Sequence, residues 1–294
     1  MPGNEALAQK VANELVGDIG DLEIRTFPDG ESYVRILTPV EARNIVLIST
    51  LDHPDSKFLP LIFAAAALRQ NGASEIGLVA PYLSYMRQDK AFHPGESVTS
   101  VHFAKALEIW FDWLVTIDPH LHRHHSLGEI YSISAVVAHA APLLARWIKQ
   151  NIEKPLIIGP DSESLQWVSV VAREADAPFI VLSKVRSGDH DVSVSVPDVG
   201  QYSGYSPVLV DDIISTGVTM LETIDHLKKA RLSQAICLAV HGIFADDAFA
   251  ALRRTGARIV TTNCVPHESN AVDVSQLLAS AILDCRQKYA NHRP

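Results

Sequence analysis

Short apolar runs alternate with longer segments of helical periodicity along nearly the whole chain. This alternation is typical of parallel sheets flanked by helices, so the pattern predicts an α/β fold. The apolar runs predict strands at Ile45–Ser49, Ile76–Ala80, Trp113–Ile117, Leu156–Ile158, Phe179–Leu182, Val208–Val210, Ile236–Val240 and Ile259–Thr262. The periodic segments predict helices at Leu59–Gln70, Val98–Trp110, Ala135–Gln150, Leu165–Ala175, Val218–Lys229, Ala248–Thr255 and Val272–Lys288.

Two segments depart from this alternation. Ile24–Leu37 carries Pro-Asp-Gly in its middle, which predicts a tight β-hairpin. Val192–Val196 alternates apolar and polar residues, as a strand exposed on one face does.

A weak internal repeat indicates duplication. Val46–Lys57 aligns with Val208–Thr219, and each segment is followed by a helix and then by an apolar strand. The first copy lacks the acidic pair and the Thr-Gly-x-Thr loop of the second. We therefore predict two domains, residues 1–150 with a degenerate phosphate loop and residues 151–294 with an intact one, divided at a polar stretch.

Composition narrows the class of protein. Charged residues at 20% and hydrophobic residues at 47% are ordinary for a globular chain. A net charge of −9 argues against nucleic-acid and anionic-membrane partners, which need a basic surface. The three cysteines have no paired spacing, and no signal-peptide or bilayer-spanning pattern is visible, so we expect a cytoplasmic location.

The most specific motif is Val208-Leu-Val-Asp-Asp-Ile-Ile-Ser-Thr-Gly-Val-Thr-Met220. A buried strand ends at two acids, and a small hydroxyl- and glycine-bearing loop then opens an amphipathic helix. Backbone N–H groups and the positive end of the helix dipole make such a loop an anion site. Adjacent carboxylates would repel a phosphate, so they indicate a ligand with sugar hydroxyls or an accompanying divalent cation. A capped βα turn is the structural alternative.

Three further polar loops follow predicted strands. In Pro81–Lys90, Arg87 and Lys90 can neutralise phosphate oxygens and Gln88 can bind a base or ribose, although a solvated loop is equally consistent. In Ile157–Leu165, Asp161 can ligate Mg²⁺, or the segment is an ordinary helix start. In Ser183–His190, Lys184 and Arg186 can neutralise a transferring phosphoryl group, although Lys-x-Arg is common in loops.

Thr116–His125 contains several histidines at a strand exit. Residues 120, 122 and 124 would share one face of an extended chain, an arrangement compatible with a metal. Most of these histidines are expected to lie on the surface or to serve packing.

Taken in order, these motifs resemble those of the ribose-phosphate diphosphokinase family, and Val208–Met220 alone resembles the signature of type I phosphoribosyltransferases. The resemblance runs from about Phe27 to beyond Thr219. It implies two tandem type I phosphoribosyltransferase-like domains, each a mainly parallel sheet flanked by helices. It also implies transfer of the diphosphoryl group of Mg-ATP to the 1-hydroxyl of ribose 5-phosphate, giving 5-phosphoribosyl 1-diphosphate and AMP.

Residue roles follow from the same resemblance. ATP would be bound by Arg87, Gln88 and Asp89, together with Phe27, Asp29 and Glu31 from a neighbouring subunit of a homo-oligomer that is at least a dimer. Mg²⁺, or alternatively Mn²⁺, would be bound by His120 and Asp161. Lys184 and Arg186 would be catalytic. The ribose diol would be held by Asp211 and Asp212, and the 5-phosphate by Ser215, Thr216, Gly217, Val218 and Thr219.

Departures from the common family pattern point to the shorter, archaeal-type branch. Glu163-Ser164 replaces a glycine pair, and Pro119 with the histidine run replaces Asp-Leu-His-Ala. Two other functions are considered. A phosphoribosyltransferase would leave the N-terminal copy and Arg87–Asp89 unexplained. A non-catalytic regulatory relative is expected to have lost Asp211, Asp212, Lys184 or Arg186, all of which are present.

Overall fold

The computed structural model describes residues 1–121, 123–160, 164–186, 192–195, 202–230, 232 and 234–292. It divides into two compact units, Met1–His139 with Ser275–Pro294, and Ala140–Val274. The predicted division falls at 150/151, whereas these units divide between His139 and Ala140, and the C-terminal segment from Ser275 belongs to the first of them. No helix in the described part of the chain is long and apolar enough to cross a bilayer.

The first unit is built on a four-stranded parallel sheet in the order β3-β4-β5-β6. A separate antiparallel hairpin precedes it and confirms the predicted one. The elements in chain order are α1 (Glu5–Leu15), β1 (Leu22–Thr26), β2 (Ser32–Ile36), β3 (Asn44–Ile48), α2 (Pro54–Gln70), β4 (Glu75–Ala80), α3 (Thr99–Glu108), β5 (Trp113–Ile117), a short 3₁₀ helix (Leu127–Glu129) and β6 (Ser134–Ala138).

The second unit is built on a six-stranded parallel sheet in the order β14-β13-β12-β11-β7-β8. A two-stranded antiparallel hairpin, β9 with β10, stands apart from it. The elements are α4 (Ala141–Asn151), β7 (Pro155–Gly159), α5 (Leu165–Ala175), β8 (Phe179–Val181), β9 (Ser183–Arg186), β10 (Val192–Ser195), β11 (Ser206–Ile214), α6 (Val218–Lys229), β12 (Ile236–Gly242), α7 (Ala248–Arg254), β13 (Arg258–Thr262) and β14 (Asn270–Val272).

These two parallel sheets confirm the predicted α/β class, and several element predictions need correction. The predicted helix Ala135–Gln150 is wrong in its first part, where β6 extends the first sheet. Val136 and Val137 favour a strand, and Pro142 in the first turn of α4 sets where the helix can begin. The predicted helix from Val272 begins only at Ser275, after β14. Neither α1 nor β14 was predicted from the sequence.

Helix α8 (Ser275–His292) belongs to the first unit and is anchored there by a buried carboxylate. Glu75 at the start of β4 accepts hydrogen bonds at Oε1 from the indole Nε1 of Trp113, 2.8 Å away, and from Nε of Arg286, 2.9 Å away. The Glu75 side chain is 9% exposed. Removing either donor would leave a buried carboxylate with a lost partner, which is costly. Glu75 therefore stabilises the contact between β4 and α8 only while Trp113 and Arg286 both bind it.

The indole of Trp113 also fills the space above Gly77 in β4. A Cβ at position 77 would lie 2.0–2.3 Å from ring atoms of Trp113. Only glycine therefore allows the indole to lie against the strand and reach Glu75. Cys237, Cys264 and Cys285 are buried and form no disulfide.

We predict that Gly77→Ala lowers the free energy of unfolding by about 1–3 kcal/mol or more, because the indole must move away from a well-packed position. Chemical denaturation followed by tryptophan fluorescence measures this change. The control is Gly17→Ala, where the nearest atom to an added Cβ is a backbone oxygen at 3.9 Å. Equal stability of the two variants would contradict the assigned packing.

Candidate active site

Strand β11 carries the predicted acidic pair. The strand was expected to end before the acids, but it continues through Asp211 and Asp212 to Ile214. Both acids are half-buried, and the backbone N–H of Asp212 donates to Oδ1 of Asp211 at 3.0 Å. The two carboxylates are therefore presented by rigid strand backbone beside the loop that follows.

The loop after β11 has the geometry of an anion site. Gly217, with φ of +70°, precedes α6, and a Cβ there would lie 3.4 Å from Leu252 and 3.5 Å from Ala248. Val218 is 53% exposed at the first position of the helix. First-turn N–H groups have no partner within a helix, so Val218 and Thr219 can offer theirs to a ligand.

The segment Ile243–Ala245, which follows β12, supports this loop. This support was not predicted from the sequence. The N–H groups of Ile243 and Phe244 each donate to the carbonyl of Ile214 at 3.0 Å, and Ala245 N–H donates to the carbonyl of Ser215 at 3.1 Å. Phe244 has φ of +47°, and its ring centroid lies 4.5 Å from that of His267. The aromatic residue after His241-Gly-Ile was the available sequence signal for this support.

The ring of Phe244 also explains why residue 242, at the end of β12, is a glycine. A Cβ at Gly242 would lie 2.5 Å from the Phe244 ring. His267 lies against Phe249 as well, with ring centroids 4.5 Å apart, and burial lowers the pKa of His267. An uncharged imidazole is compatible with this aromatic cluster, which includes Phe244 of the segment that supports the loop after β11.

The predicted catalytic cations lie on a hairpin. Lys184 and Arg186 belong to β9, where they pair with Val194 and Val192 of β10. The prediction of a loop over Ser183–His190 is therefore wrong for its first half, while 187–190 lies outside the described residues. Asp161, the predicted metal ligand of the second unit, also lies outside them.

The loop after β4 contains the predicted nucleotide residues of the first unit. Arg87 and Gln88 are exposed, as binding residues must be. The hydroxyl of Thr99 donates to Oε1 of Gln88, and the N–H of Ser100 donates to the Gln88 carbonyl at 3.3 Å. Gln88 is thus held by the start of α3.

Asp89 differs from its two neighbours because its side chain is only 2% exposed. Nη1 of Arg123 donates to Oδ1 of Asp89 at 2.8 Å and to Oδ2 at 3.0 Å. The carboxylate is engaged within the protein and is not presented to a ligand.

The loop after β5 contains Asp118 and His120 in strained backbone conformations, with φ of 36° and 56°. The His120 N–H donates to the carbonyl of Asp118 at 3.0 Å, which fixes the turn. Nδ1 of His139 lies 2.8 Å from Oδ1 of Asp118, and this hydrogen bond raises the pKa of His139. Among the described residues, no three side chains of metal-ligating type form a cluster.

Two of the other histidines have a structural partner. His124 Nδ1 lies 3.0 Å from Oε2 of Glu129, and the His125 N–H donates to Oε1 of Glu129 at 3.1 Å. The hydrogen bond from His124 lowers the pKa of Glu129. His122 lies outside the described residues. The structure therefore accounts for His124 and His125 by their contact with Glu129 in the 3₁₀ helix.

The loop Ser49–Lys57 belongs to the first copy of the internal repeat. It contains a cationic side chain, Lys57, that binds groups of the loop itself. Nζ of Lys57 donates to the carbonyl of Thr50 at 3.0 Å and forms an ion pair with Asp52. Oδ1 of Asn4 accepts from the N–H and the hydroxyl of Thr50, at 2.9 and 2.8 Å. The side chains of Asn4 and Lys57 thus bind the N–H, the hydroxyl and the carbonyl of Thr50 in this loop.

The β1–β2 hairpin presents Phe27, Asp29 and Glu31 to solvent. Its turn is closed by hydrogen bonds from Phe27 N–H to the Glu31 carbonyl at 2.8 Å and from Gly30 N–H to the Phe27 carbonyl at 2.9 Å. The guanidinium of Arg25 lies 4.5 Å from the ring centroid of Phe27 and 4.1 Å from that of Tyr33. These cation–π contacts hold an exposed aromatic ring on the hairpin.

Two protein-family models match successive parts of this chain. The model of the N-terminal domain of ribose phosphate pyrophosphokinase matches residues 1–110, and the phosphoribosyl transferase domain model matches residues 126–275. Ribose-phosphate pyrophosphokinase of Sulfurisphaera tokodaii is 32% identical over 269 residues, which cover 89% of this chain and 91% of the relative. The enzyme of the same name from Methanobrevibacter smithii is 29% identical over 294 residues, covering 96% and 98%.

A solved structure is similar over nearly the same length. Phosphoribosylpyrophosphate synthetase from Mycobacterium smegmatis is 25% identical, with a TM-score of 0.83 and coverage of 97% of this chain and 96% of that one. Both family models, the archaeal relatives and this fold agree with the resemblance found in the sequence. The chain belongs to the ribose-phosphate pyrophosphokinase family.

Proposed function

We propose that this protein transfers the diphosphoryl group of ATP to the 1-hydroxyl of ribose 5-phosphate, forming 5-phosphoribosyl 1-diphosphate and AMP. The observation that carries the proposal is the continuous run from the acidic pair of β11 into the loop opened by Gly217, in a member of this family. Such a run offers acceptors for a sugar diol directly beside donors for a phosphate.

The proposed reaction places the sugar in the second unit. Asp211 and Asp212 would accept hydrogen bonds from the ribose hydroxyls, and the N–H groups and hydroxyls of 215–219 would bind the 5-phosphate. The 1-hydroxyl oxygen then attacks the β-phosphorus of ATP, the bond from that phosphorus to the α–β bridging oxygen breaks, and AMP leaves. The hydroxyl proton is released to water or to a nearby base.

Charge stabilisation is assigned to Lys184 and Arg186. Phosphoryl transfer spreads negative charge over the transferring group, so preorganised cations act mainly on the transition state. Backbone pairing of β9 with β10 gives these residues a regular frame.

Mg²⁺ is proposed as the cofactor, with Mn²⁺ as a substitute, and His120 and Asp161 would hold it. The donor set fits only weak binding, because imidazole is a poor ligand for Mg²⁺ and Asp118 is already bonded to His139. When bound, the ion neutralises the phosphate oxygens of ATP. Within this chain, the turn from Asp118 to His120 fixes where the imidazole is presented.

The partners follow from the same proposal. Phe27, Asp29 and Glu31 on the hairpin would complete the nucleotide site of a neighbouring subunit, making the active unit at least a dimer. Neither nucleic acid nor membrane is expected as a partner at a net charge of −9. ATP and ribose 5-phosphate are supplied in the cytoplasm, where we place the protein.

We predict AMP formation from ATP and ribose 5-phosphate without any added base. Lys184→Ala and Arg186→Ala should lower kcat by about 10²-fold or more while changing the KM for ribose 5-phosphate little. Quantifying AMP by chromatography tests both statements. Lys229→Ala, an exposed lysine on α6, is the control. If product formed only with a base and 5-phosphoribosyl 1-diphosphate present, the protein would be a phosphoribosyltransferase instead.

The acidic pair gives a second test. Asp212→Asn keeps the side-chain shape but removes the charge, so the KM for ribose 5-phosphate should rise about tenfold or more while thermal stability is retained. The matched control is Asp225→Asn on α6, whose carboxylate pairs with Lys229 at 2.6 Å. Early melting with a normal KM would assign Asp212 a structural role.

The metal proposal is tested by titration. His120→Ala should raise the free Mg²⁺ concentration that gives half-maximal rate, because a ligand is lost. His125→Ala is the control, since the contact of residue 125 with Glu129 is made by its backbone N–H. An unchanged Mg²⁺ requirement in His120→Ala would remove this residue from the metal site.

A further inference from the structure

The aromatic cluster of the second unit joins three different elements. Phe244 lies in the segment Ile243–Ala245, Phe249 lies on α7, and His267 lies in the loop between β13 and β14. The ring centroids of Phe244 and Phe249 are 5.1 Å apart, and that of His267 is 4.5 Å from each of them. Rings at these separations attract one another through their edges and faces, so the cluster holds the three elements together.

Two of these elements contact the loop after β11 directly. The segment Ile243–Ala245 donates three backbone hydrogen bonds to the end of β11 and to the loop. On α7, the side chains of Ala248 and Leu252 lie 3.5 and 3.4 Å from the position of a Cβ on Gly217. His267 thus contacts one ring of each element that supports the loop.

A chain of hydrogen bonds fixes the His267 ring. The N–H of Ser269 donates to Nδ1 of His267 at 3.2 Å, so Nδ1 carries no proton and the Ser269 hydroxyl, 2.9 Å away, also donates to it. The Ser269 hydroxyl oxygen then accepts from the Thr261 hydroxyl at 2.8 Å, and Oγ1 of Thr261 accepts from Nδ2 of Asn270 at 2.9 Å. Thr261 and Ser269 are buried, where a lost hydrogen bond is costly, so this chain holds the imidazole in one orientation.

The uncharged imidazole is the form that this arrangement requires. A protonated Nδ1 could not accept from the Ser269 N–H, and burial lowers the pKa of His267, which favours the uncharged form. The adjacent Glu268 acts on this pKa in the opposite direction and less strongly, and it has another partner. Its Oε2 lies 3.7 Å from Nη1 of Arg253, and both of these side chains are exposed. His267 therefore serves the hydrogen-bonded chain and the two phenyl rings rather than an ion pair.

We propose that His267 is a positioning residue for the ribose 5-phosphate site. Its ring supports Phe244 and Phe249, and through them it holds the loop after β11 in the conformation that binds the 5-phosphate. The inference rests on the proposed function for the identity of this ligand. It requires no contact between His267 and the sugar.

Hydrogen exchange measures the support itself, without any substrate. The N–H groups of Ile243–Ala245 are hydrogen-bonded and should exchange slowly in the wild-type chain. His267→Ala should raise their exchange rates by about tenfold or more, because local opening no longer has to separate the rings. Amides of β4 and β5 in the first unit should be unaffected. The control is His226→Ala, which removes a half-buried histidine from the last turn of α6.

Steady-state kinetics tests whether this support reaches the sugar site. A displaced loop binds ribose 5-phosphate less well before and during the reaction alike, so His267→Ala should raise the KM for ribose 5-phosphate by about fivefold or more. The kcat and the KM for ATP should stay near normal. A fall in kcat with an unchanged KM for ribose 5-phosphate would overturn the inference.

Two further variants separate the ring from the hydrogen bond, and they also decide the case if His267→Ala does not fold. His267→Phe keeps an aromatic ring without an acceptor, whereas His267→Asn keeps an acceptor without a ring. The inference expects slow exchange of Ile243–Ala245 and a near-normal KM for ribose 5-phosphate in His267→Phe only. Rescue by asparagine alone, or equal behaviour of the two variants, would overturn the role of the ring.

The outcomes distinguish this inference from the function on which it rests. If the wild-type protein forms AMP from ATP and ribose 5-phosphate but exchange in His267→Ala is unchanged, the support by His267 is wrong and the proposed function stands. If the protein forms no AMP, yet Ile243–Ala245 exchanges faster in His267→Ala and not in His267→Phe, the support stands and the proposed reaction is wrong.

Discussion

The parallel direction of the strands in both main sheets is the constraint on which the candidate site depends. Within a parallel sheet, each strand delivers the segment that follows it to the same edge. In the first unit this rule brings together the loops after β4 and β5, and hence Arg87, Asp89, Asp118 and His120. In the second unit it brings Ile243–Ala245 to the loop after β11, because β11 and β12 are neighbours.

The local patterns of the sequence were sufficient for most of this architecture. Apolar runs located the central strands, and the Asp211–Thr219 motif located the turn at Gly217 and the start of α6, because its residues are contiguous. The Pro-Asp-Gly turn likewise predicted the first hairpin. In these cases a short stretch of chain contains both the residues and the physical reason for their conformation.

Features that depend on distant residues could not be predicted in this way. From its neighbours in sequence, Asp89 is expected to be an acid of a loop. Its burial depends on its ion pair with Arg123, which is 34 residues away. Glu75 is expected from the sequence to be a charged residue at the start of a strand, yet its carboxylate binds Arg286, which is 211 residues away. β6 was mistaken for the beginning of a helix because a short apolar run of Ala and Val suits either structure until its neighbour, β5, is known. Lys184 and Arg186 were placed in a loop for the same reason, since β9 is defined by its pairing with β10.

The discontinuity of the first unit has a consequence for biosynthesis. Residues Ala140–Val274 form one compact unit that is continuous in the chain, whereas the first unit includes Ser275–Pro294. On the ribosome, the segment after β6 must therefore be translated in full before Arg286 can reach Glu75. Until then, Glu75 and Trp113 of the nascent first sheet lack α8, which carries Arg286. The second unit can therefore complete its fold first, although most of the first unit is translated before it.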